Sequence, residues 1–380
     1  MEEKILGYGV IGTGTYCDHY LSTLGPKYKN VRPIGCSDLN TEAAKAAAER
    51  WNIPKVYTTE EMMADPEVDI VLILTNPGSH YMLTMQALKA GKHVYCEKPL
   101  ATSLEQANEI VEFAAEKGLF VGSAPDTFLS PEFQTVRKLL DEGAIGKVTN
   151  ITANYVGPGA DLWHPNAGFL YKKGGGPALD MGPYFLTTLV AMLGPIESLF
   201  CYGNRGWDVR DIHGNGVEVE VPTNYCAVIK FADGPIGNVN LTYDEWKSNL
   251  PGMELYGTEG VIIAPDPNTM MGPIKLLKAD EFKALVNGKD NMGAKLGAIY
   301  GPESFALFQE IDTVAARIGN ERGAGMADMA QAIVEGRKPR VSADLCRHVT
   351  EAINAFNVSV ETGLPYKMTT TFEKPEAMVF

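Results

Sequence analysis

Three groups of residues in this chain have types and spacings that could do chemistry. Lys98 stands between Glu97 and Pro99, directly after Lys92-His93-Val94-Tyr95-Cys96, a β-branched and aromatic run that reads as a buried strand. In an open parallel sheet, ligands bind outside the carboxyl ends of the strands, so a lysine delivered there is a candidate acid, base or electrostatic anchor. Read by itself, it also fits a solvated lysine opening a surface loop. The second group is Gly174-Gly175-Gly176-Pro177-Ala178-Leu179-Asp180-Met181-Gly182-Pro183-Tyr184. Its glycines let the chain turn tightly against a ligand, and Pro177 suits a first helical position. Asp180 and Tyr184 have the spacing that puts two side chains on one helix face, although Pro183 disturbs such a helix. A capping aspartate and a half-buried tyrosine would read the same way.

The third group binds rather than reacts. Gly12-Thr13-Gly14-Thr15-Tyr16-Cys17 follows the strand-like residues 5–11. Two glycines there allow a tight turn and the close approach of a pyrophosphate to backbone N–H groups, with Cys17 as the small residue at the third fingerprint position. The next strand-like run ends at Cys36-Ser37-Asp38. An acidic side chain at that place accepts hydrogen bonds from the adenosine ribose and repels a 2′-phosphate, and neither Leu39 nor Asn40 is a cation. The expected cofactor is therefore NAD rather than NADP, held by Gly12, Thr13, Gly14, Thr15, Tyr16 and Asp38. A third strand-like run ends at Thr75-Asn76-Pro77-Gly78-Ser79-His80. Thr75, Asn76, Pro77 and His80 are expected to face the same crevice, as are Glu97 and Lys98, while His80 equally fits an ordinary first-turn helix residue.

Around the second group lie Tyr155, Asp161, Trp163, His164, Asn166, Phe169 and Tyr171. Aromatic faces alternating with polar groups suit a sugar ring, which has apolar C–H faces and a hydroxyl edge. Tyr155, Trp163, His164 and Tyr171 are the substrate candidates, with Asp126 and Phe128 pointing into the crevice from just past the fifth strand. Such residues are also common in any loop over a core.

The elements that must position these residues change character along the chain. Residues 5–11, 31–37, 69–75, 93–96 and 119–122 read as short strands, alternating with helical patterns at 41–51, 80–90 and 103–116. That alternation implies a parallel, doubly wound α/β sheet over residues 1–124. A helix at 131–142 then precedes strand-like runs at 148–156, 196–202, 217–221, 225–231, 237–243, 253–256 and 260–264. Strand following strand, with a turn signal at Ala232-Asp233-Gly234-Pro235, implies an α+β domain over 125–380, built on a large, mainly antiparallel open sheet. Helical stretches at 324–335 and 343–361 close the chain, the second able to pack back on the first domain.

Composition excludes several classes of function. A length of 380 residues suits two domains, and a formal net charge of −14 argues against nucleic-acid or anionic-membrane partners. No apolar run approaches the roughly 20 residues of a membrane span. The chain enters a strand at residue 5, which leaves no room for a signal peptide. The six cysteines show no metal-ligand spacing, so no metal is expected and a reduced cytoplasm fits.

A dinucleotide fold, Glu97-Lys98-Pro99 at a strand end, and a later glycine run leading to Asp180 and Tyr184 together resemble the Gfo/Idh/MocA oxidoreductase family. Thr75-Asn76-Pro77…His80 and Lys92-His93-Val94 also fit its pattern, and the match covers nearly the whole chain. The resemblance implies an N-terminal Rossmann domain, hydride transfer between NAD and a secondary hydroxyl of a sugar, glycoside or related polyol, and a homo-oligomer joined through the C-terminal sheet. It also implies that Lys98, Asp180 and Tyr184 form the catalytic cluster. The position of Tyr184 is histidine in many members, so the cyclitol reading is weakened. Free tyrosine and free lysine titrate at about 10 and about 10.4, so nearby positive charge would have to tune either one to accept a proton. Two rival readings stay within the resemblance: an NAD-dependent glycoside-cleaving enzyme that returns its hydride, and a non-enzymatic dinucleotide-binding regulator.

Overall fold

The structure is a computed structural model whose described residues are 4–164, 166–316 and 322–378. Its chain forms two compact units. The first comprises described residues up to 129 with 322–354 and 369–376; the second comprises 130–316, 355–368 and 377–378.

In the first unit, β1 (Leu6–Ile11), β2 (Val31–Ser37), β3 (Lys55–Val56), β4 (Ile70–Ile73), β5 (His93–Cys96) and β6 (Val121–Ser123) form one sheet in the order β3-β2-β1-β4-β5-β6. Every neighbouring pair is parallel. Strands buried on both faces read as continuous apolar runs, and β1 and β4 are buried at every residue. The strand order reverses between β1 and β4, which is where a doubly wound sheet opens a crevice at its carboxyl edge. Strand β3 was missed in the sequence because two residues carry no alternation.

Caps set where the crossover helices begin. The Asn40 side chain accepts from the N–H groups of Glu42 and Ala43 ahead of Thr41–Trp51. Ser103 accepts from Gln106 N–H ahead of Leu104–Lys117, and the left-handed Gly118 ends that helix.

The segment at 369–376 is stapled onto the first unit by Glu351. This fully buried carboxylate accepts from the N–H and hydroxyl groups of both Thr369 and Thr370. Burial opposes its ionisation, but those four donors outweigh burial and hold it below the usual glutamate range. One turn earlier, burial pushes His348 down to about 4, with the Glu351 charge acting against it. An imidazole with a lowered pKa is neutral in the fold and protonates first in the unfolded chain. Its contribution is complete above about pH 6.5 and is lost as pH falls toward 4. At about 1.4 kcal/mol per pK unit, that is up to about 3 kcal/mol. Urea unfolding at pH 7 and pH 4.5 should show this loss in the wild type and a much smaller one in His348→Phe; equal slopes in both would remove His348 from the account.

The second unit is built on nine strands: β7 (Val148–Val156), β8 (Ile196–Asn204), β11 (Asn224–Phe231), β12 (Ile236–Thr242), β13 (Met253–Gly257), β14 (Gly260–Ala264), β15 (Ile274–Lys278), β16 (Gln309–Ile311) and β17 (Tyr366–Lys367). Their order is β16-β15-β14-β13-β7-β12-β11-β8-β17. All pairs are antiparallel except β7 with β12. Alternation along β11 buries Tyr225, Ala227, Ile229 and Phe231 and exposes Cys226, Val228 and Lys230. One face of the sheet is thus covered; helix Gly182–Leu193, buried at all its residues, belongs to that core. The hairpin expected at Ala232–Pro235 joins β11 to β12, with Gly234 at φ +104°.

The strand expected at 217–221 lies elsewhere. Residues Asn215–Glu218 (β10) pair with Val209–Ile212 (β9) in a separate two-stranded ribbon. The helix expected through Asp180 and Tyr184 is two helices, Pro177–Asp180 and Gly182–Leu193, parted at Met181. Pro183 accounts for the break, since it cannot donate to an N-terminal turn that would continue from Pro177–Asp180.

Candidate functional site

The carboxyl edge of the first sheet gathers the expected cofactor residues. Gly12 follows β1 at φ +95°, and a Cβ there would meet the Leu74 carbonyl oxygen at 2.8 Å, so only glycine fits. A Cβ on Gly14 would meet nothing within 4 Å. Gly14 and Thr15 are exposed, leaving room for a ligand to lie directly on this backbone. Cys17, at the third fingerprint position, is buried, and burial pushes its thiol up to about 12. It packs as a small hydrophobe and is no nucleophile.

Asp38, at the end of β2, has a task the sequence did not reveal. Its Oδ2 accepts from Thr13 N–H at 2.7 Å and from the Thr13 hydroxyl at 3.0 Å, while Oδ1 accepts from Asn40 N–H at 2.9 Å. Burial works against the charge, but these donors prevail and hold the carboxyl below the usual aspartate range. Asp38 therefore fixes the turn after β1, and Oδ1 retains acceptor capacity toward solvent. A dinucleotide fits this edge: open backbone at Gly14, an ionised acid one strand away, and Thr75, Asn76 and Pro77 exposed or half-buried beyond β4.

Lys98 leaves β5 half-buried, and its main chain is gripped on both sides. Glu97 Oε2 accepts from Lys98 N–H at 2.9 Å, and Glu97 Oε1 accepts from the Tyr20 hydroxyl at 2.7 Å. On the other side, His80 Nδ1 lies 2.7 Å from the Pro99 carbonyl oxygen, and its Nε2 lies 3.0 Å from that of Thr75. Glu97 and His80 were expected to face the cofactor. Both are buried with their polar atoms engaged inside the unit, so they hold the lysine's segment and the β4 edge in place.

Asp126 is a further correction. It is 1% exposed rather than crevice-facing. Its Oδ2 accepts from Gly323 N–H at 3.0 Å and Gly325 N–H at 2.8 Å, at the start of helix Ala324–Glu335. Burial raises its pKa, against the hydrogen bond from Gly325. The adjacent Phe128, expected in the crevice, is also buried. A segment two hundred residues distant in sequence supplies the partners, and no local pattern could announce it.

The second unit carries the other candidates. Gly176, at φ +87°, places its N–H 2.6 Å from the Leu170 carbonyl oxygen and launches helix Pro177–Asp180. At the end of that helix, Asp180 Oδ2 accepts from the Tyr243 hydroxyl at 2.5 Å. Tyr243 is 1% exposed; burial first, then the Asp180 charge, keeps its hydroxyl protonated, so it is a permanent donor. The Tyr155 ring packs edge-on against Tyr243 and Phe185, half-buried, and Tyr184 is buried one turn into the next helix.

Of the loop residues, Trp163 is 72% exposed and meets His164 edge-on; His164 in turn meets the exposed Phe169. Asp161 and Tyr171 do not share that exposure. Tyr171 is fully buried and donates to Asp161 Oδ1, and Asp161 Oδ2 accepts from Arg210 Nε at 2.7 Å. The reading of Tyr171 as a substrate ligand is thus corrected to a core residue. Tyr243, just past β12, and Arg210, on β9, were both missed, because only their distant partners give them a role. Among the described residues, no cluster of His, Cys, Asp and Glu could hold a metal ion, and no helix is long and apolar enough to cross a membrane.

Comparison with known proteins places this geometry. Residues 6–124 match the oxidoreductase family with an NAD-binding Rossmann fold, and residues 133–263 match the GFO/IDH/MocA C-terminal domain. The chain is 29% identical over 298 residues to the mouse trans-1,2-dihydrobenzene-1,2-diol dehydrogenase, covering 75% of this chain and 82% of that one. It is 31% identical over 286 residues to the 1,5-anhydro-D-fructose reductase of Ensifer adhaerens, covering 72% and 80%. Among solved structures, levoglucosan dehydrogenase in complex with NADH and L-sorbose shares the fold at a TM-score of 0.78 and 20% identity, over 97% of this chain and 100% of that one. The WlbA dehydrogenase of Bordetella pertussis in complex with NADH and UDP-GlcNAcA does so at 0.74 and 18%, over 97% and 99%. With both family domains matched in order along the chain, and an N-terminal sheet of the NAD-binding type, the chain belongs to the Gfo/Idh/MocA oxidoreductases.

Proposed function

We propose that this protein transfers a hydride between NAD(H) and a secondary hydroxyl of a sugar, glycoside or related polyol. The observation that carries the proposal is the edge at which β1, β2, β4 and β5 end: an open Gly14 backbone, Asp38, and Lys98 with its main chain held on both sides. Bound at that edge, NAD supplies the hydride acceptor or donor. In the oxidative direction the substrate C–H bond breaks with its electron pair, the O–H bond breaks as a proton, and a ketone remains. Lys98 is the group we assign to that oxygen, where an ammonium stabilises developing negative charge and a neutral amine takes the proton. As the family resemblance implies, Asp180 and Tyr184 are assigned to substrate handling, Asp180 as an acceptor that orients a hydroxyl. The Trp163–His164–Phe169 surface suits the apolar face of a ring.

Asp38 favours NAD over NADP, because its carboxylate repels a 2′-phosphate and no arginine or lysine follows it at Leu39 or Asn40. All six cysteines are free thiols, which supports a reducing, cytoplasmic setting. Val228, Ile236 and Tyr202, exposed on the open side of the large sheet, support a homo-oligomer through that face.

The test is a spectrophotometric screen of monosaccharides, glycosides, cyclitols and dihydrodiols with NAD⁺ and NADP⁺. Net NADH formation with at least one sugar or diol, and at least tenfold preference for NAD⁺ in kcat/KM, is expected. Glycoside cleavage with a retained cofactor and no net NADH would replace this reading with the hydride-returning one. Tight NAD binding without turnover on the whole panel would point to a regulator.

A further inference from the structure

Arg210 lies on β9, in the small ribbon apart from the main sheet, and its side chain is 8% exposed. Its guanidinium lies over two rings, with Cζ 4.6 Å from the Trp207 ring centre and 5.1 Å from that of Tyr171. All three of its nitrogens donate. Nε reaches Asp161 Oδ2 at 2.7 Å and Nη1 reaches Asp244 Oδ1 at 3.3 Å. Nη2 reaches the Pro158 carbonyl at 2.6 Å, the Tyr243 carbonyl at 3.0 Å and the Tyr171 hydroxyl at 3.2 Å. One planar cation thus ties the start of the aromatic loop, its last residue, and the strand end that carries Tyr243. Lysine has neither the fork nor the flat face for this arrangement.

The ribbon grips the same loop at two more places. His213, in the turn between β9 and β10, places Nε2 3.0 Å from the His164 carbonyl oxygen. Just past β10, Glu220 N–H donates to the Tyr171 carbonyl at 2.8 Å. Among the described residues between these anchors, Leu162, Trp163, Asn166 and Phe169 are exposed, whereas Ala160, Ala167 and Leu170 are buried. The ribbon thus holds the backbone from which that exposed surface projects, alongside the loop's own buried residues.

We propose that Arg210 is the positioning residue for substrate recognition: with the β9–β10 ribbon it fixes the Trp163–His164–Phe169 surface and, through Tyr243, the carboxylate of Asp180. Its effect on turnover rests on the function proposed above; its effect on loop order does not. The ribbon is then the specificity element of this protein, because its hold on residues 158–171 decides which ring shape the aromatic surface accepts.

The experiment compares full-length wild type, Arg210→Met and Arg210→Lys by steady-state kinetics on the best substrate of the screen, by NADH binding, and by hydrogen exchange. Arg210→Met should lower kcat/KM about 100-fold, the scale expected when a binding surface moves by about 1 Å, with most of the loss in KM. NADH affinity and stoichiometry should stay within about twofold. Exchange across 158–171 should rise at least tenfold while residues 6–123 keep their protection. Arg210→Lys should recover only a minor part of the loss. Unchanged exchange across 158–171 would overturn the proposal. So would a fall in kcat at constant KM matched by lost NADH stoichiometry, which marks simple unfolding. A wild type that turns over nothing on the panel sinks the substrate reading alone, and the exchange comparison still decides Arg210.

Discussion

Lys98→Met is expected to lower turnover by about 10³-fold or more while NADH binding stays within about threefold of the wild type. Positioned proton transfer contributes roughly 10²–10⁴ to a rate, and electrostatic stabilisation of the developing alkoxide adds to it, so loss of the single ammonium removes both. The fold gives this variant a clear reading. The Lys98 N–H is held by Glu97, Glu97 by Tyr20, and the Pro99 carbonyl by His80, so these backbone contacts persist when the lysine side chain is replaced. Methionine keeps most of the stem and removes only the charge and the proton. Steady-state turnover and nicotinamide fluorescence, measured on the same preparation, check the expectation. Turnover within tenfold of the wild type would move the acid–base role to Tyr184 or Asp180.

Asp126→Ala is expected to act on stability rather than on catalysis. Its Oδ2 is the acceptor for two buried N–H groups at the start of helix Ala324–Glu335, and alanine leaves both without it. A buried donor stripped of its partner costs about 1–3 kcal/mol, and loss of a helix cap costs about 1 kcal/mol. Part is regained because burial had already raised the carboxyl's pKa, so removing the acid relieves a desolvated charge. A net loss of about 3 kcal/mol lowers the melting temperature by roughly 6–12 °C for a unit of this size. Turnover well below the transition should stay within a few-fold of wild type, whereas Asp126→Asn, which keeps an acceptor oxygen, should recover most of the stability. A large rise in KM with unchanged melting would restore Asp126 as a substrate ligand.

These two residues mark how far local pattern reaches. The place of Lys98 just past a strand end was legible because a buried β-branched run, a proline and a strand end are all encoded within eight consecutive residues. Gly12 and Gly14 were legible for the same reason: the requirement for a positive φ and for open space is a property of the position itself. Asp38 was found for a related reason, as the residue that closes a strand, yet its hydrogen bonds to Thr13 were not, since they join two loops across the sheet edge. The break at Met181 was half visible through Pro183. Strand β10 was displaced into its own ribbon because alternation reports a strand but not its neighbours.

The sequence by itself determined the α/β architecture of the first half, the sheet-rich character of the second, the dinucleotide edge and the lysine beside it. Each depends on short periodicity, turn chemistry or the conformational needs of single residues. Only the tertiary structure decided which polar residues serve the fold: Glu97, His80, Asp126, Asp161 and Tyr171 are consumed by internal partners, whereas Trp163 is exposed and His164 half-buried. It also brought forward Arg210 and Tyr243. The physical reason is that a buried polar group must find a partner, and that partner is chosen by where the backbone returns rather than by what lies nearby in the chain.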